Sequence, residues 1–120
     1  MFNIIGFDNN DGVDITGTSL MGKVTTTYDE LVDTFGEPTY DASHSSDGKV
    51  IVEWTLDFRV ETGEYNGNDF DYVPATIYAW KESSIPYGKY DWHIGGNDLG
   101  AVDCVYQVLI NTVYQAIEKK

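Results

Sequence analysis

Residues Lys49–Glu61 read KVIVEWTLDFRVE, and apolar side chains alternate with charged or polar ones along most of this run. Successive side chains of a β-strand point to opposite faces, so strict alternation predicts a strand with one face on a core and the other in water. One-sided strands of this kind are typical of antiparallel sheets. The apolar positions are Val50, Val52, Trp54, Leu56, Phe58 and Val60, and Ile51 is the residue that breaks the pattern.

Further strands are predicted on both sides of this one, because apolar or aromatic runs are separated by clusters of turn-forming residues. Pro74 predicts a break or an edge near the start of the strand that follows Lys49–Glu61. The predicted strands are Phe2–Phe7, either Val13–Thr16 or Lys23–Thr26, Phe70–Lys81 and Tyr90–Gly95, with turns or loops at Asp8–Gly12, Thr39–Gly48, Thr62–Asn68 and Ser83–Gly88.

A short helix is predicted immediately after residue 27. Thr27 and Glu30 have the spacing of a capping box, in which the two side chains satisfy orphan N–H groups at the start of a helix. Gly36 and Pro38 then end the helix. Its apolar stripe, at the spacing i, i+3, i+4 and i+7, consists of Tyr28, Leu31, Val32 and Phe35.

A second helix is predicted from Leu99 to about Glu118, with Asp98 as its N-cap. Apolar residues cover most of its circumference, which is more than one face of a sheet can bury. Either the sheet curls around this helix or the excess apolar side meets a second copy of the chain in a homodimer. The whole of residues 1–120 is therefore predicted to form a single α+β domain, in which an antiparallel sheet of four to six strands packs on the long C-terminal helix.

Charge is the strongest functional signal in the composition. Twenty acidic residues face seven basic ones, which gives a formal net charge of -13. Nucleic acid and anionic lipid are poor partners for such a surface, whereas a basic protein surface is favoured. Solubility alone is the alternative explanation. The candidate partner-binding residues are Asp29, Glu30 and Asp33 on the first helix, Glu53, Asp57 and Glu61 on the water-facing side of the alternating strand, and Glu64, Asp69 and Asp71 beyond it.

The candidate catalytic and metal-binding residues of the sequence do not have the spacing that such sites require. The acidic turn Asp8–Asp14 does not fit a calcium-binding loop, because placing Gly12 at position 6 puts Phe7 at position 1 and Thr18 at position 12. Asp69 and Asp71 resemble a catalytic pair only in spacing, and nothing marks either as buried. We therefore predict a non-enzymatic protein with no cofactor and no metal.

Cys104 and His93 do not form a convincing nucleophile and base, because Cys104 falls inside an apolar helix where thiols are usually inert. Aromatic and glycine neighbours instead suggest a ligand pocket around His93. The candidate pocket residues are Tyr78, Trp80, Trp92 and His93.

The lone cysteine cannot form an intramolecular disulfide. The residues after Met1 have no basic segment followed by a long apolar run, as an export signal requires. We therefore expect a cytoplasmic protein.

Four sequence blocks resemble a group of small, mostly uncharacterised proteins from phages and prophages. They are TYDELVDTFGEPT at 27–39, VEWTLDF at 52–58, ATIYAWK at 75–81 and WHIGG at 92–96. Small acidic phage proteins of this appearance include inhibitors of bacterial defence, among them anti-CRISPR and anti-restriction proteins that occupy the DNA-binding surface of a nuclease. The resemblance implies action in the cytoplasm of a bacterial host and assigns no binding residue.

Together, charge and resemblance predict a phage-encoded inhibitor whose acidic, DNA-mimicking face binds the basic nucleic-acid-binding surface of a host protein, such as a Cas effector or a restriction enzyme. The alternative is a module that sequesters a nucleotide defence signal in the aromatic pocket around His93. The two hypotheses require different chemistry, since a nucleotide is an anion and the first partner is a cation.

Overall fold

The computed structural model describes residues 3–41, 50–61, 70–80 and 84–118, and it has an α+β fold with an antiparallel sheet and two helices. The predicted class is therefore confirmed. The elements in chain order are β1 (Ile4–Asn9), β2 (Ser19–Thr26), α1 (Tyr28–Phe35), β3 (Tyr40–Asp41), β4 (Val50–Glu61), β5 (Phe70–Trp80), β6 (Tyr90–Gly96) and α2 (Gly100–Glu118).

Five strands form the sheet in the order β1-β4-β5-β6-β2, and the short β3 pairs with β4 as well. Every pairing is antiparallel. β4 is the longest strand, and it pairs with β1, β3 and β5. The stretch with the clearest alternation therefore lies inside the sheet and organises its neighbours.

The sheet has two chemically different faces, as the alternation in β4 predicts. We call the side that carries Trp54, Leu56 and Phe58 the helix face, because both helices pack there. We call the other side the open face. In register across the strands, the open face carries Glu53, Thr55, Asp57 and Arg59 from β4, Thr76, Tyr78 and Trp80 from β5, His93 and Gly95 from β6, and Lys23 from β2.

Aromatic rings hold the helices to the helix face. Trp54 and Trp92 are fully buried, and their ring centroids lie 5.5 Å apart in an edge-to-face contact. Phe35 of α1 packs in the same geometry against Phe7 and Phe58, with centroids 5.3 and 6.2 Å away. Such pairs contribute about 0.5–1.5 kcal/mol each beyond the burial of their area. The core therefore lies on one side of the sheet, where the buried aromatic side chains Phe35, Trp54, Phe58 and Trp92 pack among mostly aliphatic ones.

Both predicted helices are present, but their starts differ in part from the prediction: Thr27 is the N-cap of α1, whereas the Glu30 carboxylate accepts from hydroxyls and not from the Thr27 backbone N–H. The Thr27 hydroxyl accepts from the Glu30 N–H at 3.2 Å, and the Glu30 carboxylate accepts from the hydroxyls of Thr26 and Thr27 at 3.1 and 3.3 Å. Asp98 accepts from the Gly100 N–H at 2.7 Å, so α2 begins one residue later than expected. Gly36 ends α1 with a φ of 89°.

Two strand predictions need correction. Val13–Thr16 is not a strand, since β2 begins at Ser19 and contains the alternative Lys23–Thr26. Part of the predicted loop Thr39–Gly48 is a strand, because Tyr40 and Asp41 pair with β4. Of the two alternatives predicted at Pro74, the edge is confirmed: Pro74 lies within β5, just before pairing with β6 begins at Ala75. The predicted turn Thr62–Asn68 lies outside the described residues.

Residues 10–18 cross the open face. They join the end of β1 to the start of β2, and these strands occupy opposite edges of the sheet. The Thr55 hydroxyl donates to the Asn10 carbonyl at 2.8 Å, which places the start of this segment on the open side of β4. Thr55 and Thr76, which face each other across β4 and β5, are 2% and 4% exposed. The middle of the open face is therefore shielded from water.

The contact between Gly96 and α2 tests the packing of the C-terminal helix. A Cβ on Gly96 would lie 2.3 Å from the Cβ of Ala101, whereas a Cβ on Gly88 would meet nothing within 4 Å. We expect Gly96→Ala to lower the free energy of unfolding by about 1–3 kcal/mol, since α2 must shift. Gly88→Ala is expected to leave it unchanged or raise it by up to about 1 kcal/mol. Urea denaturation of the two variants measures the difference, and equal midpoints would contradict this packing.

Candidate functional site

A row of five polar and aromatic side chains crosses the open face, with one from each of five strands. Tyr40 of β3 pairs with Glu53 of β4, which pairs with Tyr78 of β5. Tyr78 pairs with His93 of β6, which pairs with Lys23 of β2. We call these five residues the cross-sheet row. Its one carboxylate stands between two tyrosines, with the two basic residues at the far end.

Glu53 has lost much of its contact with water. Its flanking positions on the neighbouring strands are both tyrosines, Tyr40 and Tyr78, and burial raises the pKa of its carboxyl above the ordinary value of 4.5. Within the described residues, no hydrogen bond or ion pair engages this carboxylate. Glu53 lies on the predicted face, where it is half-buried rather than fully exposed to water. The neighbouring tyrosines shield this carboxylate from water, so a bound cation would supply stabilisation that water does not.

The aromatic side chains of the row contact one another. The rings of Tyr78 and His93 are stacked, with centroids 5.3 Å apart and an interplanar angle of 20°. Trp80 meets Tyr78 edge-on at 6.2 Å and is 38% exposed. Burial raises the pKa of the Tyr78 hydroxyl, and the charge of Glu53 raises it further. Tyr78 is therefore a neutral hydrogen-bond donor beside a carboxylate.

A second charged cluster lies on the open face beyond Thr55. Arg59 forms an ion pair with Asp8 at 3.1 Å, and Asp8 pairs in register with Asp57. A Cβ on Gly6 would lie 2.5 Å from Nη2 of Arg59, so the arginine reaches across that glycine. Burial raises the pKa of Asp57, and the charge of Asp8 adds to this, while Arg59 opposes it. In this cluster Arg59 is the cation, so Asp8 already has a partner within the protein.

The predicted acidic residues divide between the two layers. Glu53, Asp57 and Glu61 share the open face, as expected from their spacing of two or four positions. Asp29 and Asp33 are exposed on α1, which packs on the helix face. Asp71 pairs with Val60, whose side chain is buried on the helix face, and the Glu30 carboxylate accepts hydrogen bonds from the hydroxyls of Thr26 and Thr27 at the start of α1. Glu64 and Asp69 lie outside the described residues. The structure therefore does not bring all the predicted acids to one surface.

The predicted pocket also divides. Tyr78, Trp80 and His93 share the open face, but Trp92 lies on the helix face in the core, where its indole N–H donates to the Thr26 carbonyl at 3.1 Å. Trp92 therefore does not belong to the site. Because Trp92 and His93 are adjacent in one strand, alternation alone was enough to separate them. The pairing of Tyr40 with Glu53 has no such signal, since it depends on a strand that was not predicted.

Cys104 is not placed to act as a nucleophile with His93 as its base. Cys104 is buried in α2 on the helix face, whereas His93 lies on the open face. Burial raises the pKa of the Cys104 thiol to about 11, with smaller contributions from Asp103 and Asp98. A thiol with this pKa is a poor nucleophile at neutral pH. The described residues also include no group of three or more His, Cys, Asp and Glu arranged to hold a metal ion.

The apolar excess of α2 is partly exposed. Ala101, Cys104, Val105 and Leu109 are buried, while Leu99 and Ile110 are 67% and 59% exposed. The homodimer through this helix stays a prediction. Among the described helices, none is long and apolar enough to cross a membrane.

Comparison with known proteins returned no match to a family model, to a curated protein or to a solved structure. The resemblance to phage proteins therefore stays a prediction. The open face is the structural feature that supports a function.

Glu53 provides a pH test of this burial. Its raised pKa means that the folded protein binds a proton more readily than the unfolded chain, so ionised Glu53 destabilises the fold. We expect Glu53→Gln to unfold at higher urea concentration than the wild-type protein at pH 7. The advantage should shrink as the pH falls through the raised pKa and towards the ordinary value of 4.5.

Asp33→Asn is the matched control, since it removes one charge from an exposed position on α1. Its effect on stability should stay within about 0.5 kcal/mol. A Glu53→Gln variant that is less stable than wild type at pH 7 would show that the carboxylate is well solvated or paired.

Proposed function

We propose that this protein is a non-enzymatic inhibitor that binds the basic nucleic-acid-binding surface of a bacterial defence nuclease through the open face of its sheet. The observation that carries the proposal is the charge of that face in the described residues. Its carboxylates outnumber its cations, Lys23 and Arg59. The carboxylates are Asp8, Glu53, Asp57, Glu61 and Asp91.

The positions of these carboxylates are fixed by the sheet. Residues on adjacent strands lie about 4.8 Å apart, and residues four positions apart on β4 lie about 13 Å apart. A rigid array of negative charge can occupy a surface that ordinarily binds regularly spaced phosphates. Because its backbone is already ordered, the array loses little conformational entropy when it binds.

The half-buried carboxylates strengthen this argument. Glu53 and Asp57 have already lost part of their hydration in the free protein, as their raised pKa values indicate. A partner cation that approaches them regains electrostatic energy without removing a full hydration shell.

The acids of α1 have a different part in this proposal. Asp29 and Asp33 are exposed on α1, which packs on the helix face and not on the open face. They add to the net charge of -13 that steers a basic partner. They do not make the same contacts as Glu53 and Asp57.

A nucleotide is a poorer ligand for the same face. Tyr78 and His93 stack on each other, and Glu53 stands directly beside Tyr78 in the cross-sheet row. A phosphate would therefore meet a carboxylate where it needs a cation. The kind of nuclease follows from the resemblance to phage-encoded anti-CRISPR and anti-restriction proteins, and the binding mode follows from the charge.

The test is DNA cleavage by a panel of purified CRISPR effector nucleases and restriction enzymes in the presence of this protein. We expect inhibition of at least one nuclease, and we expect it to weaken steeply as salt is added, since the contacts are between charges. The variant Glu53→Gln/Asp57→Asn/Glu61→Gln should inhibit roughly tenfold less well, because three contacts of about 0.5 kcal/mol each are lost.

The matched control is Asp29→Asn/Asp33→Asn/Asp71→Asn, which removes the same charge from the helix layer. It should retain most of the inhibition. Inhibition that ignores salt, or an equal loss in both triple variants, would contradict binding through the open face.

A further inference from the structure

We propose that the Glu53 end of the cross-sheet row, together with Trp80, is a docking site for one arginine side chain of the basic partner. The inference rests on the proposed function and names the group that the open face recognises. It follows from a carboxylate flanked by aromatic rings on an otherwise ordered sheet. The site consists of Tyr40, Glu53, Tyr78 and Trp80.

Glu53 provides the charge that the ligand must neutralise. It is half-buried between tyrosine positions on both neighbouring strands, and no cation of the described residues reaches it. The contrast with Asp8 is informative, because Asp8 is already paired with Arg59 at 3.1 Å. An incoming guanidinium at Glu53 therefore satisfies an unpaired carboxylate, whereas at Asp8 it would have to displace an existing partner.

Aromatic rings provide the second half of the site. Trp80 is 38% exposed on the open face, and its ring lies 6.2 Å from that of Tyr78. The faces of Trp and Tyr rings attract cations, and this attraction is stronger where water is excluded.

The chemistry of the site favours arginine over lysine. A guanidinium is planar, is weakly hydrated, stacks on aromatic rings and presents two parallel N–H groups to one carboxylate. A lysine ammonium carries a strongly held hydration shell, which it must lose at a half-buried glutamate. The cation Lys23 occupies the far end of the row, so an incoming guanidinium is directed to the Glu53 end.

The probes are three capped tripeptides, Gly-Arg-Gly, Gly-Lys-Gly and Gly-citrulline-Gly, titrated into the intact protein. Citrulline matches arginine in shape and lacks its charge. The Trp80 indole N–H signal in NMR spectra is the reporter, since Trp54 and Trp92 are fully buried and donate to the carbonyls of Gly36 and Thr26. We expect the arginine peptide to shift this signal with a dissociation constant of the order of 1 mM.

The citrulline peptide should give no saturable shift, and the lysine peptide should bind at least about threefold more weakly. Glu53→Gln should weaken arginine binding about tenfold or more, while Asp33→Asn should leave it unchanged. Equal binding of arginine and citrulline, equal binding of arginine and lysine, or full affinity in Glu53→Gln would each overturn the assignment.

This result is separable from the proposed function. If the arginine peptide binds as expected but no nuclease is inhibited, the site stands and the inhibitor function fails. If salt-sensitive inhibition depends on the open face while the arginine peptide has no effect at Trp80, the function stands and the site fails.

Discussion

The edge-to-face contact between Trp54 and Trp92 is the interaction on which the rest of the structure depends. The two rings belong to β4 and β6, with β5 between them, and both are fully buried. Once they occupy the helix face, alternation fixes every neighbouring side chain of both strands. Glu53, Thr55 and His93 must then lie on the other side. The core and the candidate site are therefore two consequences of one constraint.

The open face is polar, but it is not simply a solvated surface. The segment 10–18 crosses its middle, where Thr55 and Thr76 are buried and the Thr55 hydroxyl reaches the Asn10 carbonyl. This crossing leaves an aromatic and acidic region on one side and the Asp8, Asp57 and Arg59 cluster on the other. Partial burial makes the carboxylates destabilising to the free protein and receptive to a cation, which is a common compromise at binding sites.

Local sequence signals predicted much of this fold, and non-local contacts account for most of what was missed. The N-caps at Thr27 and Asp98 each depend on residues within one turn, so the sequence alone identified them. Strand alternation likewise placed Glu53 and Trp54 on opposite faces. Tyr40 reaches Glu53 only through long-range strand pairing, and Asn10 reaches Thr55 only because β1 pairs with β4. Neither of these two contacts produces a periodic pattern in the sequence. Trp92 is aromatic like the pocket residues, but its position next to His93 in β6 places it on the opposite face of the sheet.

The most direct measurement is hydroxyl-radical footprinting of this protein, alone and in complex with a nuclease whose cleavage it is found to inhibit. Four exposed aromatic side chains serve as reporters. Tyr72 and Trp80 lie on the open face, at 55% and 38% exposure. Tyr87 and Tyr106 lie elsewhere, at 63% and 38% exposure. If the open face is the binding surface, Tyr72 and Trp80 lose reactivity in the complex and Tyr87 and Tyr106 keep theirs. Protection of Tyr87 or Tyr106 with unchanged Tyr72 and Trp80 would contradict it.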